Sequence, residues 1–266
     1  MQQPIIDIHE LTRRFGNACV VNAISMTLQP GEVFALLGRN GAGKTTVVKM
    51  LATLLEPTSG RASVGGFDIV REAAQVRRII GYVPQALSAD GDLTGYENLN
   101  IFAKLYDIPR VERAARIRDA LAFMNLSEVS GNLVKTYSGG MIRRLEIAQS
   151  TLHRPRVLFL DEPTVGLDPV ARASVWEQLG KLKDQFGSAI LLTTHYLEEA
   201  EHLCDRVAIM NRGRITAIGT PAQLGAMISP TASLEEAFAY YTQDHPQAGG
   251  TVDDASRNHL AFQQID

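Results

Sequence analysis

The sequence predicts an α/β fold: a parallel sheet, preceded by a β-rich opening and interrupted by a helical block. Three observations carry this. The apolar runs "VFALLG", "VLFLDEP" and "AILLTTH" are each followed by a helix-like segment, the alternation expected of a parallel sheet. The opening stretch up to Leu28 instead reads as strands. From Leu93 to about Leu152 the apolar spacing turns helical, so two lobes arise with no linker between them.

The elements follow in order. "IIDIHEL" alternates, "ACVVNAISMTL" is β-branched and apolar, and "QPGE" (Gln29 to Glu32) is a turn. "VFALLG" is short, continuous and ends in Gly, which suits a strand buried on both faces. "KTTVVKMLATLL" has helical spacing and stops at "EPTSG"; a further β segment turns at Gly65-Gly66. Thr94 and Glu97 have capping-box spacing and open "NLNIFAKLY". "RVERAARIRDALAFMNL" is a basic amphipathic helix whose arginines read as a solvated face. Ile142, Leu145, Ala148 and Leu152 repeat at helical spacing, and "RVAIMNRGRITAIG" is a hairpin around Asn211-Arg212-Gly213. The tail from about Gln243 is polar and aperiodic and is expected to be mobile.

Composition narrows the classes. At 45% hydrophobic and 21% charged, the 266 residues have a globular profile, neither fibrous nor disordered. A net charge of -3 supplies no global basic field for nucleic acid. Cys19 and Cys204 have no metal spacing and read as small apolar filler in a reducing setting. No apolar run approaches the ~18 residues that span a bilayer, and "MQQPIIDIHELTRRFG" lacks a signal-peptide plan. Any membrane role is therefore expected to come through a partner.

Two segments carry chemistry. "GRNGAGKTT" comprises Gly38, Arg39, Asn40, Gly41, Ala42, Gly43, Lys44, Thr45 and Thr46 and matches the phosphate loop G-x-x-x-x-G-K-T between a strand and a helix. Its backbone N–H groups can close around phosphate oxygens, with Lys44 reaching the β- and γ-phosphates and the Thr45 hydroxyl ligating magnesium. "VLFLDE" ends an apolar strand with two acids at the sheet edge where ligands of open α/β sheets lie. Asp161 suits magnesium, and Glu162 is positioned to orient or deprotonate water. Together they point to magnesium-dependent nucleotide hydrolysis.

A second glycine pair, in "YSGGM", opens the helix that begins near Gly139: Ser138 can cap it while Gly139 and Gly140 keep N–H groups accessible. Alone, S-G-G is a weak signal and suits a mere helix cap with flexible glycines better. With "GRNGAGKTT" before it and "VLFLDEPT" after it, the sequence resembles ATP-binding cassette (ABC) proteins over about residues 5 to 230.

The resemblance implies a P-loop NTPase (RecA-like) core, an antiparallel β subdomain and an inserted α-helical signature subdomain at about residues 86–153. Residues 1–230 would be the ATPase domain and 231–266 a C-terminal extension. It further implies two cassettes paired head to tail, Gly38 to Thr45 holding ATP in cis while Ser138, Gly139, Gly140 and Asp168 act in trans. By the same resemblance Phe15 stacks on adenine, although it also suits a core Phe on an edge strand. Gln85 in "GYVPQ" touches magnesium and water, and His195 is the switch histidine beside the γ-phosphate; Lys44, Glu162 and His195 form the catalytic set. His202 reads as a plain polar residue.

Tyr137 and Met141 depart from the family's usual L-S-G-G-Q, and a thioether cannot supply what Gln offers by hydrogen bonding. "YSGGM" with "DEPTVGLDP" is similar to daunorubicin-resistance and nodulation exporter ATPases, which work with separate ABC-2 permeases. An exporter subunit on the cytoplasmic face of the membrane is thus expected, with a second copy, a permease, ATP and magnesium as partners and no nucleic acid. The segment Ala86 to about Pro109, with Tyr96 and Leu99, is the expected permease contact. A soluble ABC ATPase acting on ribosomes or DNA is the alternative, which the single cassette and the 94 residues between Lys44 and Ser138 disfavour. A P-loop kinase would leave "SGG", "DEPT" and His195 unexplained.

Overall fold

The computed structural model describes residues 3–243, so the tail beyond Gln243 lies outside the described residues. The chain opens with the hairpin β1 (Ile6–Phe15) and β2 (Ala18–Leu28), then runs through β3 (Val33–Leu37), α1 (Lys44–Leu51), β4 (Ser59–Val64) and β5 (Phe67–Asp68). Next come α2 (Ala73–Ile79) and β6 (Ile80–Val83), then the helical lobe α3 (Gly95–Leu105), α4 (Arg110–Phe123) and α5 (Gly139–Thr151). The rest alternates: β7 (Val157–Asp161), α6 (Pro169–Phe186), β8 (Ala189–Thr194), α7 (Leu197–Leu203) and β9 (Arg206–Asn211). Finally β10 (Arg214–Gly219), α8 (Pro221–Ala226) and α9 (Leu234–Thr242) close the described chain.

Among the described residues the strands form two sheets. One is antiparallel, ordered β2-β1-β4-β5; the other is ordered β10-β9-β3-β8-β7-β6 and is parallel from β9 to β6. Every residue of β3, β7 and β8 is buried, as expected for strands covered on both faces. Their period of two divides the core. Val33, Ala35, Leu37, Leu158, Leu160, Ile190 and Leu192 face the helical lobe, α6 and α9. Phe34, Leu36, Val157, Phe159, Ala189 and Leu191 face α1 and the antiparallel sheet. The helix α1 is thus held between the two sheets, with Val47, Val48, Met50 and Leu51 buried.

The expected helical stretch from Leu93 to Leu152 is broken between α4 and α5 by two short 3-10 turns, Ser127–Val129 and Val134–Thr136. The expected capping box holds: Glu97 N donates to Thr94 Oγ1 at 3.2 Å, and Thr94 N to Glu97 Oε2 at 2.8 Å. The arginines of α4 face solvent or local acceptors, with Arg116 pairing Glu112 at 2.7 Å. Two expectations need correction. Leu99 is fully buried in the helical core, because it sits on the inward stripe of α3, so it is no surface contact. Phe15 is 46% exposed, and β1 lies inside its sheet, so the edge-strand core reading fails. No described helix is long and apolar enough to cross a membrane.

Candidate functional site

Four parallel strands deliver the candidate residues to one sheet edge. Gly38 follows β3, Asp161 ends β7, His195 follows β8, and Gln85 follows β6, whose Val83 pairs with Leu160. This is the carboxyl edge, where open α/β sheets hold ligands.

The loop from Gly38 to Gly43 has the backbone shape of a cradle. A Cβ on Gly38 would stand 2.5 Å from the Met210 carbonyl oxygen. At Gly43, φ is +104° and a Cβ would meet the Val20 carbonyl at 2.7 Å, so both positions need glycine. The helix α1 starts without a side-chain cap or an acid in its first turn. Its N-terminal N–H groups are therefore open to an anion, and the helix dipole favours one there. Arg39, Asn40 and Gly41 form the exposed rim; Ala42 and Lys44 are buried, and Thr45 and Thr46 partly so. Phe15 pairs with Ala18 across the β1–β2 hairpin, two residues from the Val20 carbonyl that abuts Gly43. The Arg13 guanidinium lies 4.6 Å from the Phe15 ring centre.

Lys44 is 5% exposed and its Nζ donates to Gly38 O at 2.7 Å and Arg39 O at 3.3 Å. It also pairs with Glu162 Oε1 at 3.0 Å. Beside it, the hydroxyls of Thr45 and Thr193 donate to Asp161 Oδ1 at 2.9 and 2.6 Å. A hydroxyl next to a buried carboxylate is a hard-oxygen set that fits magnesium, which takes its remaining ligands from phosphate and water. Among the described residues no cluster of three or more His, Cys, Asp or Glu could cage a metal without such help. Tyr82, on β6, has its phenol pushed up to about 12 by burial, with the Asp161 charge adding to the shift.

Glu162 sits at φ 50°, a left-handed conformation that side chains with a Cβ seldom adopt. Thr193 holds it there by accepting the Glu162 N–H on its carbonyl at 3.1 Å and on its hydroxyl at 2.9 Å. The turned carboxylate reaches Lys44 with Oε1 and His195 Nδ1 with Oε2, the latter at 2.6 Å. A carboxylate against Nδ1 favours the tautomer protonated there and leaves Nε2 free to accept. Glu162 is thus gripped from the phosphate loop and from β8 at once.

The other expected residues stand apart from this centre. Gln85 is exposed, and no polar contact joins its side chain to Thr45 or Asp161 among the described residues. Ser138 caps α5 by accepting from Met141 N at 3.3 Å, and Asp168 caps α6 by accepting from Ala171 N at 2.9 Å. These two caps are neighbours: a Cβ on Gly140 would stand 2.8 Å from Ala171 Cβ. Among the described residues no polar contact links Ser138, Gly139 or Gly140 to the loop from Gly38 to Thr46. Tyr137 anchors the cap by donating its hydroxyl to Val129 O at 2.6 Å, and Met141 packs on the helical-lobe core. His202 is exposed on α7, with its ring centre 5.3 Å from that of Trp176.

Sequence reasoning missed Thr193, Thr164 and Glu199. Glu199 is fully buried on α7, and its Oε1 accepts from Thr164 Oγ1 at 2.8 Å and Trp176 Nε1 at 3.0 Å. Burial raises its pKa, which the three nearby donors only partly oppose. The paired threonines in "AILLTTH" were a signal, because polar side chains ending an otherwise apolar buried strand need partners.

The family model described as "ABC transporter" matches residues 21–165. Daunorubicin resistance ATP-binding protein DrrA3 of Streptomyces coeruleorubidus is 42% identical over 85% of this chain and 71% of its own. Linearmycin resistance ATP-binding protein LnrL of Bacillus subtilis is 38% identical over 83% and 70%. Nod factor export ATP-binding protein I of Burkholderia lata is 43% identical over 82% and 72%. A solved ATP binding subunit of an ABC transporter superposes with a TM-score of 0.80 at 30% identity, covering 90% of this chain and 100% of that one. For cbiO1 of Clostridium perfringens, part of the ABC transporter complex cbiONQ, the TM-score is 0.77 at 28% identity, covering 85% and 92%.

Proposed function

The chain belongs to the ABC transporter family as an ATP-binding subunit, and from that premise we propose that it drives export by closing on ATP as a head-to-tail homodimer. The observation that carries the reading is the convergence on Glu162, 3.0 Å from Lys44 and 2.6 Å from His195 at the edge that bears the phosphate cradle. Glu162 takes a proton from the attacking water, the oxygen bonds to the γ-phosphorus, and the bond to the β-phosphate oxygen breaks. ADP and phosphate leave. Lys44 and the N–H groups from Gly38 to Thr46 hold the phosphates, His195 keeps the Glu162 carboxylate aimed, and Phe15 stacks on adenine. Magnesium, held by Thr45 and Asp161, would neutralise phosphate charge, and Gln85 would have to swing in from its exposed loop to join it.

The lack, among the described residues, of any polar contact between the Ser138 cap and its own cradle supports its use in trans, where Ser138, Gly139, Gly140 and Asp168 cover the ATP of the opposite copy. Residues 1–230 form the ATPase domain, with 86–153 as its helical subdomain and 231–266 as the C-terminal extension.

Export and an ABC-2 permease are inferred from the relatives named for drug resistance and Nod factor export. Leu87, Tyr96, Ile101 and Leu105, exposed on and before α3, are the apolar surface offered to that permease. The test is Glu162→Gln, which keeps an acceptor for Lys44 but not the base. It should lower turnover by ~10² to 10⁴ and give an ATP-dependent dimer by light scattering. A monomer at saturating ATP would contradict the clamp.

A further inference from the structure

Helix α5 carries two charges that the hydrolytic site does not use. Arg143 and Glu146 form an ion pair at 3.0 Å with both side chains only 2% exposed. A buried pair gains little over well-packed apolar residues, so stability alone does not account for it. Its remaining hydrogen bonds do. Arg143 donates to Pro84 O and Gln85 O, each at 2.7 Å. Glu146 Oε1 accepts from Ser88 N, from Ser88 Oγ at 3.1 Å and from Ala89 N at 3.3 Å.

All of these partners belong to one short loop. Arg143 grips the carbonyls at its start and Glu146 the N–H groups at its end, so Leu87 is left protruding between two fixed points, 51% exposed. The same helix begins at the Ser138 cap, five residues before Arg143 along its axis. Loop and cap are therefore fastened to one rigid rod.

The geometry points to Arg143 and Glu146 as positioning residues that make the 84–89 loop and the Ser138–Gly140 cap move as one body. A push on Leu87 from a membrane partner then reaches the trans phosphate grip without passing through the sheet. This rests on the roles given above to Gln85 and to the cap.

The test compares the full chain with Arg143→Met/Glu146→Leu, which keeps volume and removes both charges, and with Glu146→Gln. Hydrogen exchange at the amides of Ser88 and Ala89 should quicken in both variants while β3 and β7 stay protected. Turnover should fall ~10- to ~100-fold with KM for ATP within about twofold, because the loop is misplaced at the reacting end and not at the adenine. Arg143→Lys should recover part of the loss. Wild-type exchange at Ser88 and Ala89 in a folded variant overturns the proposal, as does wild-type turnover. If the double variant does not fold, Glu146→Gln alone decides by the same measures. The exchange readout needs no hydrolysis, so an inactive wild-type chain would sink the ATPase reading while leaving the clamp still open to test.

Discussion

The ammonium of Lys44 lies 3.0 Å from Glu162 Oε1, with both side chains all but sealed from solvent. An ammonium has three N–H donors, and Gly38 O, Arg39 O and Glu162 are all within reach of them. A phosphate oxygen has to replace at least one of these acceptors. In the proposed reaction, a phosphate that displaces Glu162 would free that carboxylate toward water, whereas one that displaces Gly38 O or Arg39 O would leave the pair intact.

Lys44→Ala should abolish measurable hydrolysis, since a charge-assisted contact to the phosphates is lost. It should also destabilise the fold by roughly 3 kcal/mol, because Glu162 is left as a buried charge without its cation. Lys44→Met/Glu162→Gln should recover most of that stability in urea unfolding and none of the activity. Equal stability of Lys44→Ala and wild type would show that the pair does not matter to folding.

Trans assembly has a clean complementation test. Chains carrying Lys44→Ala and chains carrying Ser138→Arg should each be inactive, yet a mixture should regain part of the phosphate release. In the mixed pair one pocket combines the intact cradle of the second chain with the intact cap of the first. If the cap served its own cradle, every pocket in the mixture would carry one lesion, and no activity would return.

Much of this site was legible because its chemistry is local in sequence. The run from Val33 to Thr46 is strand, glycine loop and helix in immediate succession, and "VLFLDE" ends a strand on its acids. The hairpin at Asn211 and the Thr94 cap were readable for the same reason. What escaped was set by tertiary contact. The helix α2 buries a single residue, Val76, and β6 has only four, so neither shows a period. Arg143 and Glu146 have the i,i+3 spacing of an ordinary surface pair, and only the 84–89 loop lying over them makes them interior. The Thr193–Asp161 contact joins two strands and the Thr164–Glu199 contact joins the turn after β7 to α7, which no local pattern announces.

Tyr96 and Leu99 share α3 but differ in exposure, so their substitutions should have different effects. Leu99 is fully buried, so Leu99→Ala should cost about 3 kcal/mol and loosen the helical lobe. Tyr96 is 36% exposed, and Tyr96→Ala should leave unfolding and basal ATPase near wild type while lowering transport in vesicles that contain the permease. Unchanged transport with Tyr96→Ala would remove this face from the docking surface.

Glu199 makes stability depend on pH in a direction opposite to that of a paired surface acid. Burial raises its folded pKa above the ordinary 4.5, and the nearby Glu162 charge pushes the same way. The contribution of its bound proton is complete below 4.5, the unfolded value, and fades as pH climbs through the raised folded value. Glu199→Gln keeps the acceptor for Thr164 and Trp176 but cannot ionise. The variant should match wild type near the acid end and become progressively more stable than it as pH rises, levelling off once wild-type Glu199 has ionised. Urea midpoints taken for both proteins across that range measure the gap directly. A constant gap at every pH would mean that Glu199 is already charged in the fold and that its contacts with Thr164 and Trp176 are those of a carboxylate.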